Sequence, residues 1–539
     1  MNILLTTPAL FARVQKHRIP ALQWALLFTY LVIVFGPLLY LGGQAIRDVS
    51  EQNNSLAMIL PGARRLVLLA KSIGLASVVA ISSLVAGSLA ASLLWCWRSG
   101  LIGYLRWTPL ILIVLPPYIQ ALVWSTVFQK LAALTGISLF QGWFASAWVQ
   151  TAAWMPLATG LVLVGLETID ASLVNAARML RPDLTSLLKI AIPLAAPLIL
   201  AAGGFLFLLS LADYSVPALF QRSVYALEIF ADYSASYRVG QTFLVALPLL
   251  LVSALIATYS QRGLASLAQT PDQTERLWKT GPSWPMPFAC LQWGMLLFLG
   301  LQVCLPVVVL IGTSGNWADF STAVSLARHE ITYTFVIAIL TASLCLPLAV
   351  AVALKLRGDQ AGRKYWWLLV VLPLAIPAPL VGIGLIAVWN QELLGGIYGS
   401  LAMPILAGLA RFTPFAVLLI YAQLRRIDPL LWDAARVLRP GNWRTWLQIR
   451  LPTLAPGLLA GACLVFALTV GELGATLIVV PPGRATLTLR IYNYLHYGAS
   501  SVVSGLGLLM VTVSLLAGLL AVVALLSWSR LMPDTGDRS

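Results

Sequence analysis

The sequence is poor in charged residues and lacks the short motifs that mark common catalytic sites. Only 10% of its 539 residues are charged, and neither HExxH nor GxSxG occurs. The pairs Lys71-Ser72 and Lys279-Thr280 lack the preceding glycines of a phosphate-binding GxxxxGK[ST] loop. We therefore expect no catalytic residue in this chain, and no ATP bound by the chain itself.

Patterns typical of metal sites and of nucleic-acid-binding proteins are missing as well. The five cysteines form no CxxC pair and have no histidine at ligand spacing, so we expect no metal site and interpret them as packing residues. The net charge of +15 comes from basic residues spread along the chain without a dense run, which argues against a nucleic-acid partner. The cysteines are Cys96, Cys290, Cys304, Cys345 and Cys463.

Apolar residues dominate the chain. Hydrophobic residues make up 60% of it and the mean hydropathy is +0.88, which indicates a polytopic membrane protein. About 20 apolar residues cross a bilayer, and twelve such runs occur, six in each half. The first is interpreted as a retained span, because it is long for a cleaved signal. The runs lie near residues 21–41, 70–95, 107–128, 145–167, 193–213, 242–260, 288–311, 333–355, 366–389, 400–423, 452–472 and 502–528.

The basic residues orient these runs in the bilayer. With the N-terminus inside, 23 Lys and Arg residues fall in cytoplasmic segments, 10 fall outside and Arg411 lies within a run, so both termini are predicted to be cytoplasmic. A polar interval at 266–287 is predicted to be a cytoplasmic linker between repeats at 1–265 and 288–539. Because six spans separate the repeats, they are parallel and enclose a shared pathway. The predicted fold is an all-α polytopic membrane protein of about twelve transmembrane helices in two parallel six-helix repeats.

One polar segment occurs in both halves. Ile169 to Pro182 has the sequence IDASLVNAARMLRP, and Ile427 to Pro440 has IDPLLWDAARVLRP, with nine of the fourteen positions identical. Each is expected to form a short helix, capped by its aspartate and ended before its proline. At under about 20 Å the helix is too short to cross a bilayer, and the charge rule places both copies in the cytoplasm. One apolar face is predicted in each copy, made of Leu173, Ala177 and Leu180, and of Leu431, Ala435 and Leu438.

A short motif follows each copy of the repeated segment: Ile-x-Ile-Pro, ending at Pro193, and Ile-x-Leu-Pro, ending at Pro452. The segment together with this motif resembles the EAA loop of ATP-binding-cassette importer permeases. Two positions depart from the family pattern: its glutamate is Asn175 or Asp433 here, and its glycine is an arginine in both copies. The resemblance implies the type I (MetI-like) permease fold, and implies that both helices are coupling helices that bind a cytoplasmic ATPase. The residues alone also allow a pair of ordinary interfacial helices. The implied coupling residues are Asp170, Leu173, Asn175, Ala176, Ala177, Arg178, Leu180, Arg181, Asp428, Leu431, Asp433, Ala434, Ala435, Arg436, Leu438 and Arg439.

Three charged residues near the membrane are candidates for the pathway. Asp213 and Glu472 each lie 20 residues after the proline that opens the fifth or eleventh span, about 30 Å away and therefore at the outer mouth. Two carboxylates near the symmetry axis would favour a cationic or metal-bearing solute, unless both are merely solvated helix ends. Arg411 lies within the tenth span, where it is expected to reach Glu472, to line the pathway or to form an ion pair that serves packing.

The sequences around the two carboxylates, ADYSVPAL at 212–219 and GELGATL at 471–477, resemble the fused permeases of the iron(III), thiamine and polyamine importers. That resemblance implies a bacterial inner-membrane permease, a periplasmic solute-binding protein and two copies of a cytoplasmic ATPase that holds ATP and Mg. Thiamine, ferric iron, polyamines and phosphonates remain open as solutes. Two other classes are a secondary transporter with 6+6 repeats, for which a proton relay of Asp, Glu and His is missing, and a scaffold protein that transports nothing.

Overall fold

The computed structural model describes residues 21–51, 62–97, 100–136, 141–264, 282–358, 362–392, 395–427, 431, 446–497 and 500–531. Within these ranges all regular secondary structure is helical, as the apolar runs predict. The helices before the interval at 265–281 are α1 (Ala21–Glu51), α2 (Ala63–Cys96), α3 (Gly100–Leu105), α4 (Thr108–Leu112), α5 (Pro117–Thr135), α6 (Gly142–Glu167), α7 (Ala171–Leu180), α8 (Asp183–Ser186), α9 (Ile192–Ala212), α10 (Ser215–Leu219), α11 (Tyr225–Ser236) and α12 (Val239–Leu264).

The helices after that interval follow a similar order. A π-helical turn precedes the fifth long helix of each half, at Leu187–Ala191 and at Trp446–Arg450. The helices are α13 (Met286–Thr313), α14 (Trp317–Leu326), α15 (Arg328–Gly358), α16 (Arg363–Val371), α17 (Ala378–Trp389), α18 (Gly395–Tyr398), α19 (Ala402–Arg426), α20 (Leu451–Val470), α21 (Thr476–Val479), α22 (Leu487–Tyr497) and α23 (Ser500–Leu531).

Ten described helices are long and apolar enough to cross a membrane, and two of the predicted spans are broken instead of straight. In the first half Ile102–Leu112 and Pro117–Thr135 meet at 104°, and in the second half Arg363–Ala375 and Ala378–Trp389 meet at 99°. Proline causes both breaks, because it cannot donate a helical hydrogen bond and holds the residue before it extended. The residue before the proline is extended at both breaks: Pro116, before Pro117, has ψ of 131°, and Ile376, before Pro377, has ψ of 124°.

Ion pairs and hydrogen bonds at the helix ends indicate that each broken pair still connects the two membrane faces. Arg106, at the start of the first pair, forms an ion pair with Glu167 at the end of α6. Helix α6 has 26 residues, about 39 Å, and so begins at the opposite face, to which the broken pair must lead. In the second half Arg357, just before the broken pair, donates from its guanidinium to the carbonyl of Ile427, at the end of α19, at 3.2 Å. The second pair must therefore lead to the opposite face, where α19 begins. Counting each pair once gives the twelve crossings that the sequence predicts.

The first helix of each half packs against the other half. In α1 the Tyr30 hydroxyl donates to the Leu369 carbonyl at 2.9 Å, and the Gln23 amide donates to the Ala351 carbonyl at 3.1 Å. In α13 the buried Gln292 amide donates to the Ser92 hydroxyl at 2.8 Å. Because buried polar groups are costly to leave without partners, these contacts fix α1 and α13 on their neighbours. The two halves are therefore interlocked.

Gly87 allows α2 and α6 to pack closely, and enlarging it is expected to destabilise the protein. A Cβ at this position would lie 2.7 Å from the Ala158 Cβ and 2.8 Å from the Thr159 amide nitrogen. Gly87→Leu should therefore cost about 1–3 kcal/mol and lower the apparent Tm of the purified protein. Gly74→Leu, on the exposed side of the same helix with nothing within 4 Å, is the matched control and should leave the Tm nearly unchanged.

Candidate functional site

Helix α7 forms where the first copy of the repeated segment predicts a short helix. Its N-terminus is capped by Asp170, whose carboxylate accepts a hydrogen bond from the Ser172 amide at 2.9 Å. It ends at Leu180, and Arg181 is extended because Pro182 follows. Since α7 connects two helices that cross the membrane, α6 and α9, it lies at a membrane face and outside the hydrocarbon.

Most of the second copy lies outside the described residues. Within it the structure describes Ile427, which is buried, and Leu431, which is helical and exposed. The predicted coupling residues that it does not describe are Asp428, Asp433, Ala434, Ala435, Arg436, Leu438 and Arg439.

The three residues predicted to form one apolar face of α7 differ in exposure. Val174 and Ala177 are buried against the protein, whereas Leu173 and Leu180, predicted to share a face with Ala177, are exposed. Successive side chains of a helix are rotated by about 100° around its axis. Because Val174 and Ala177 are buried, Leu173 and Ala176, one position earlier, point outward. The outward residues form a second apolar surface, which we call the exposed apolar face; it consists of Leu173, Ala176, Met179 and Leu180.

Arg178 is anchored to Asp183, a residue that the sequence did not single out. The Arg178 guanidinium donates to the two Asp183 oxygens at 2.8 and 3.4 Å, and the Asp183 carboxylate also accepts from the backbone nitrogen and the hydroxyl of Ser283, at 2.6 and 3.0 Å. The remaining predicted residues, Asn175 and Arg181, are partly exposed and exposed. An aspartate directly after the repeated segment was a visible signal for Asp183, but nothing in the sequence points to Ser283.

At the far end of α20, Glu472 is buried in a dense set of contacts. Its oxygens accept hydrogen bonds from the Ala475 and Thr476 amides at 2.9 and 2.8 Å, and Arg411 of α19 forms an ion pair with it. The Glu472 side chain is 2% exposed and that of Arg411 is 28% exposed. The structure therefore places Arg411 at Glu472, one of the positions that the sequence suggested.

Asp213 occupies the corresponding place at the end of α9, with neutral partners. Its carboxylate accepts from the Gln150 amide at 2.9 Å and from the amide and hydroxyl of Ser215 at 2.9 and 2.7 Å. The Gln150 carbonyl in turn accepts from the Ser210 hydroxyl at 2.7 Å. Each carboxylate thus holds the turn that follows its own span and is tied to a neighbouring span.

The two carboxylate segments meet across the halves. The Tyr214 hydroxyl, next to Asp213, donates to the Gly474 carbonyl at 3.3 Å, as the expected symmetry axis requires. The contacts within each half differ in charge, because Glu472 is paired with a cation and Asp213 is not. Two charges in these contacts are partly exposed, the Asp213 carboxylate and the Arg411 guanidinium, and the guanidinium lies 5.3 Å from the centre of the Phe412 ring.

Comparison with known proteins identifies the family. Residues 346–529 match the family model of the binding-protein-dependent transport system inner membrane component. The molybdenum transport system permease of Haemophilus influenzae is 32% identical over 191 residues, which are 33% of this chain and 83% of that protein. A putative 2-aminoethylphosphonate permease of Salmonella typhimurium is 29% identical over 35% of this chain and 74% of that protein. A probable sulfate permease of Chlorokybus atmophyticus is 25% identical over 43% of this chain and 85% of that protein. The chain therefore belongs to the inner-membrane permeases of ATP-binding-cassette importers.

Proposed function

We propose that this chain forms the whole translocation pathway of an importer, with α7 and the segment at 427–440 as its two coupling helices. The observation that carries the proposal is the exposed apolar face of α7 at the end of two crossing helices. An apolar surface outside the hydrocarbon is typical of a protein interface. Its partner is a cytoplasmic ATPase, present in two copies because the segment occurs twice, and each copy holds the ATP and Mg that this chain does not bind.

The domain organisation that we propose is a permease repeat at 1–265, a cytoplasmic linker at 266–287 and a second repeat at 288–539. Equivalent hydrogen bonds at a constant spacing support it. The Tyr225 amide donates to the Ser72 hydroxyl at 2.8 Å, and the Leu487 amide donates to the Thr334 hydroxyl at 2.8 Å, so that donor and acceptor are both displaced by 262 residues. In this arrangement both termini are cytoplasmic, as the charge bias favours.

The solute that we propose is a small oxyanion. The relatives are named for 2-aminoethylphosphonate, molybdenum and sulfate transport. A cationic cargo such as thiamine, ferric iron or a polyamine was favoured by Asp213 and Glu472 as pathway carboxylates, but both accept several hydrogen bonds within their own halves. Arg411 is a partly exposed cation beside them, and a cation in a low-dielectric pathway favours an anion.

Uptake into proteoliposomes tests this proposal. The permease is reconstituted with the ATPase and the solute-binding protein encoded beside it, and uptake of sulfate, molybdate and 2-aminoethylphosphonate is compared with that of thiamine, ferric iron and spermidine. We expect ATP-dependent uptake of one oxyanion at least about tenfold above each cationic solute, a difference of about 1.4 kcal/mol in the barrier. An imposed ion gradient without ATP should give none. Preferential uptake of a cationic solute would contradict the oxyanion, and gradient-driven uptake would favour a secondary transporter.

A further inference from the structure

Asp183 connects the first coupling helix with the start of the second half of the chain. This buried carboxylate accepts hydrogen bonds from two directions. From α7 it receives the Arg178 guanidinium, and from a segment 100 residues later it receives the amide and hydroxyl of Ser283. Bonds to an ionised group are stronger than neutral ones, so this carboxylate joins the two segments firmly.

The segment that carries Ser283 shares an apolar core with α7. Trp284 lies in edge contact with Phe288 of α13, with the ring centres 5.4 Å apart. Both rings pack against the apolar core that contains Val174 of α7 and Leu187 of the π-helical turn. The last residues before α13 and the buried side of α7 therefore belong to one apolar core.

The second copy of the repeated segment lacks this carboxylate. Pro182 is followed by Asp183, whereas Pro440 is followed by Gly441. The chain also enters its second half beside the first copy, at Ser283. At the position after the shared proline, the first copy therefore offers a carboxylate for this connection and the second does not.

We propose that Asp183 is a positioning residue that passes movement of the first coupling helix directly to α13, and through it to the second half. This rests on the proposed function of α7. Helix α13 is the first helix of the second half but packs on α2 of the first, where Gln292 bonds Ser92. A shift of α7 caused by one ATPase then moves elements of both halves together, because packed elements joined by polar contacts move as units.

The test is the number of ATP molecules hydrolysed per solute imported, measured in proteoliposomes that contain the complete transporter. Asp183→Asn keeps the size of the side chain and removes its charge. We expect the ATPase to copurify as before, because the exposed apolar face is unchanged, while the ATP used per solute rises about fivefold, at the lower end of measured couplings between sites. Ser283→Ala should act in the same direction, and Asp183→Asn with Ser283→Ala should be no worse than Asp183→Asn alone.

A matched control is Asp319→Asn at the opposite membrane face, in the capping box of α14, where the Asp319 carboxylate accepts from the Asn316 amide and an asparagine carbonyl can accept the same bond. It should leave the ratio unchanged. The proposal is overturned if Asp183→Asn leaves the ratio at the wild-type value, if the two changes add independently, or if Asp183→Asn mainly releases the ATPase. Failure of the wild-type transporter to couple ATP hydrolysis to uptake would instead count against the proposed function.

Discussion

Replacing Leu180 and Leu438 with glutamate is expected to abolish copurification of the ATPase while the permease stays folded. Leu180 is 86% exposed, so a carboxylate there costs the permease little by itself. In a complex the same carboxylate would be buried in an apolar interface, where loss of a central contact costs about 2 kcal/mol or more, a factor of about 30 in affinity. Both copies are changed, because one intact coupling helix would still retain an ATPase.

Leu134→Glu is the matched control for this experiment. Leu134 is 85% exposed and lies at the end of α5, across the membrane from α7. It should leave ATPase binding unchanged. Ala177→Glu is a poor choice, because Ala177 is buried and its replacement would displace α7 itself. If as much ATPase copurifies with the doubly changed permease as with the wild type, α7 is not the docking surface of the ATPase.

The crossing helices were predictable because their signal is local. An apolar run of about 20 residues meets the length requirement of the bilayer wherever it occurs. The start and end of α7 were predictable for the same reason, since Asp170 and Pro182 act within one turn of the helix. Proline marked the two broken spans, but the bends near 100° depend on how the segments pack, which no local pattern specifies.

The contacts that define the candidate site could be predicted only in part. Helical periodicity groups residues on a face but does not say which of two apolar faces is buried, and in α7 Val174 and Ala177 are buried instead of Leu173 and Leu180. The bond between Asp183 and Ser283 joins residues 100 positions apart, with no sequence signal at the second. The pairing of Arg411 with Glu472 was open to inference because a cation within a span needs a partner.

Arg411→Leu is expected to destabilise the permease strongly and to stop uptake. Glu472 is 2% exposed and would keep its two amide donors but lose its only described cation. Removing one member of a buried ion pair typically costs about 3–5 kcal/mol, so the apparent Tm of the purified protein should fall clearly. Asp213→Asn in the other half, where the partner is the neutral Gln150, should cost only about 1 kcal/mol.

Combining Arg411→Leu with Glu472→Gln separates packing from transport. Glutamine is uncharged and retains an oxygen that can accept from the Ala475 or Thr476 amide, so most of the lost Tm should return. Uptake of the oxyanion should nevertheless remain at least about tenfold below the wild type, because the pathway then lacks its guanidinium. If uptake recovers together with the Tm, the ion pair serves packing alone. If Arg411→Leu by itself transports normally, Arg411 has no part in moving the solute.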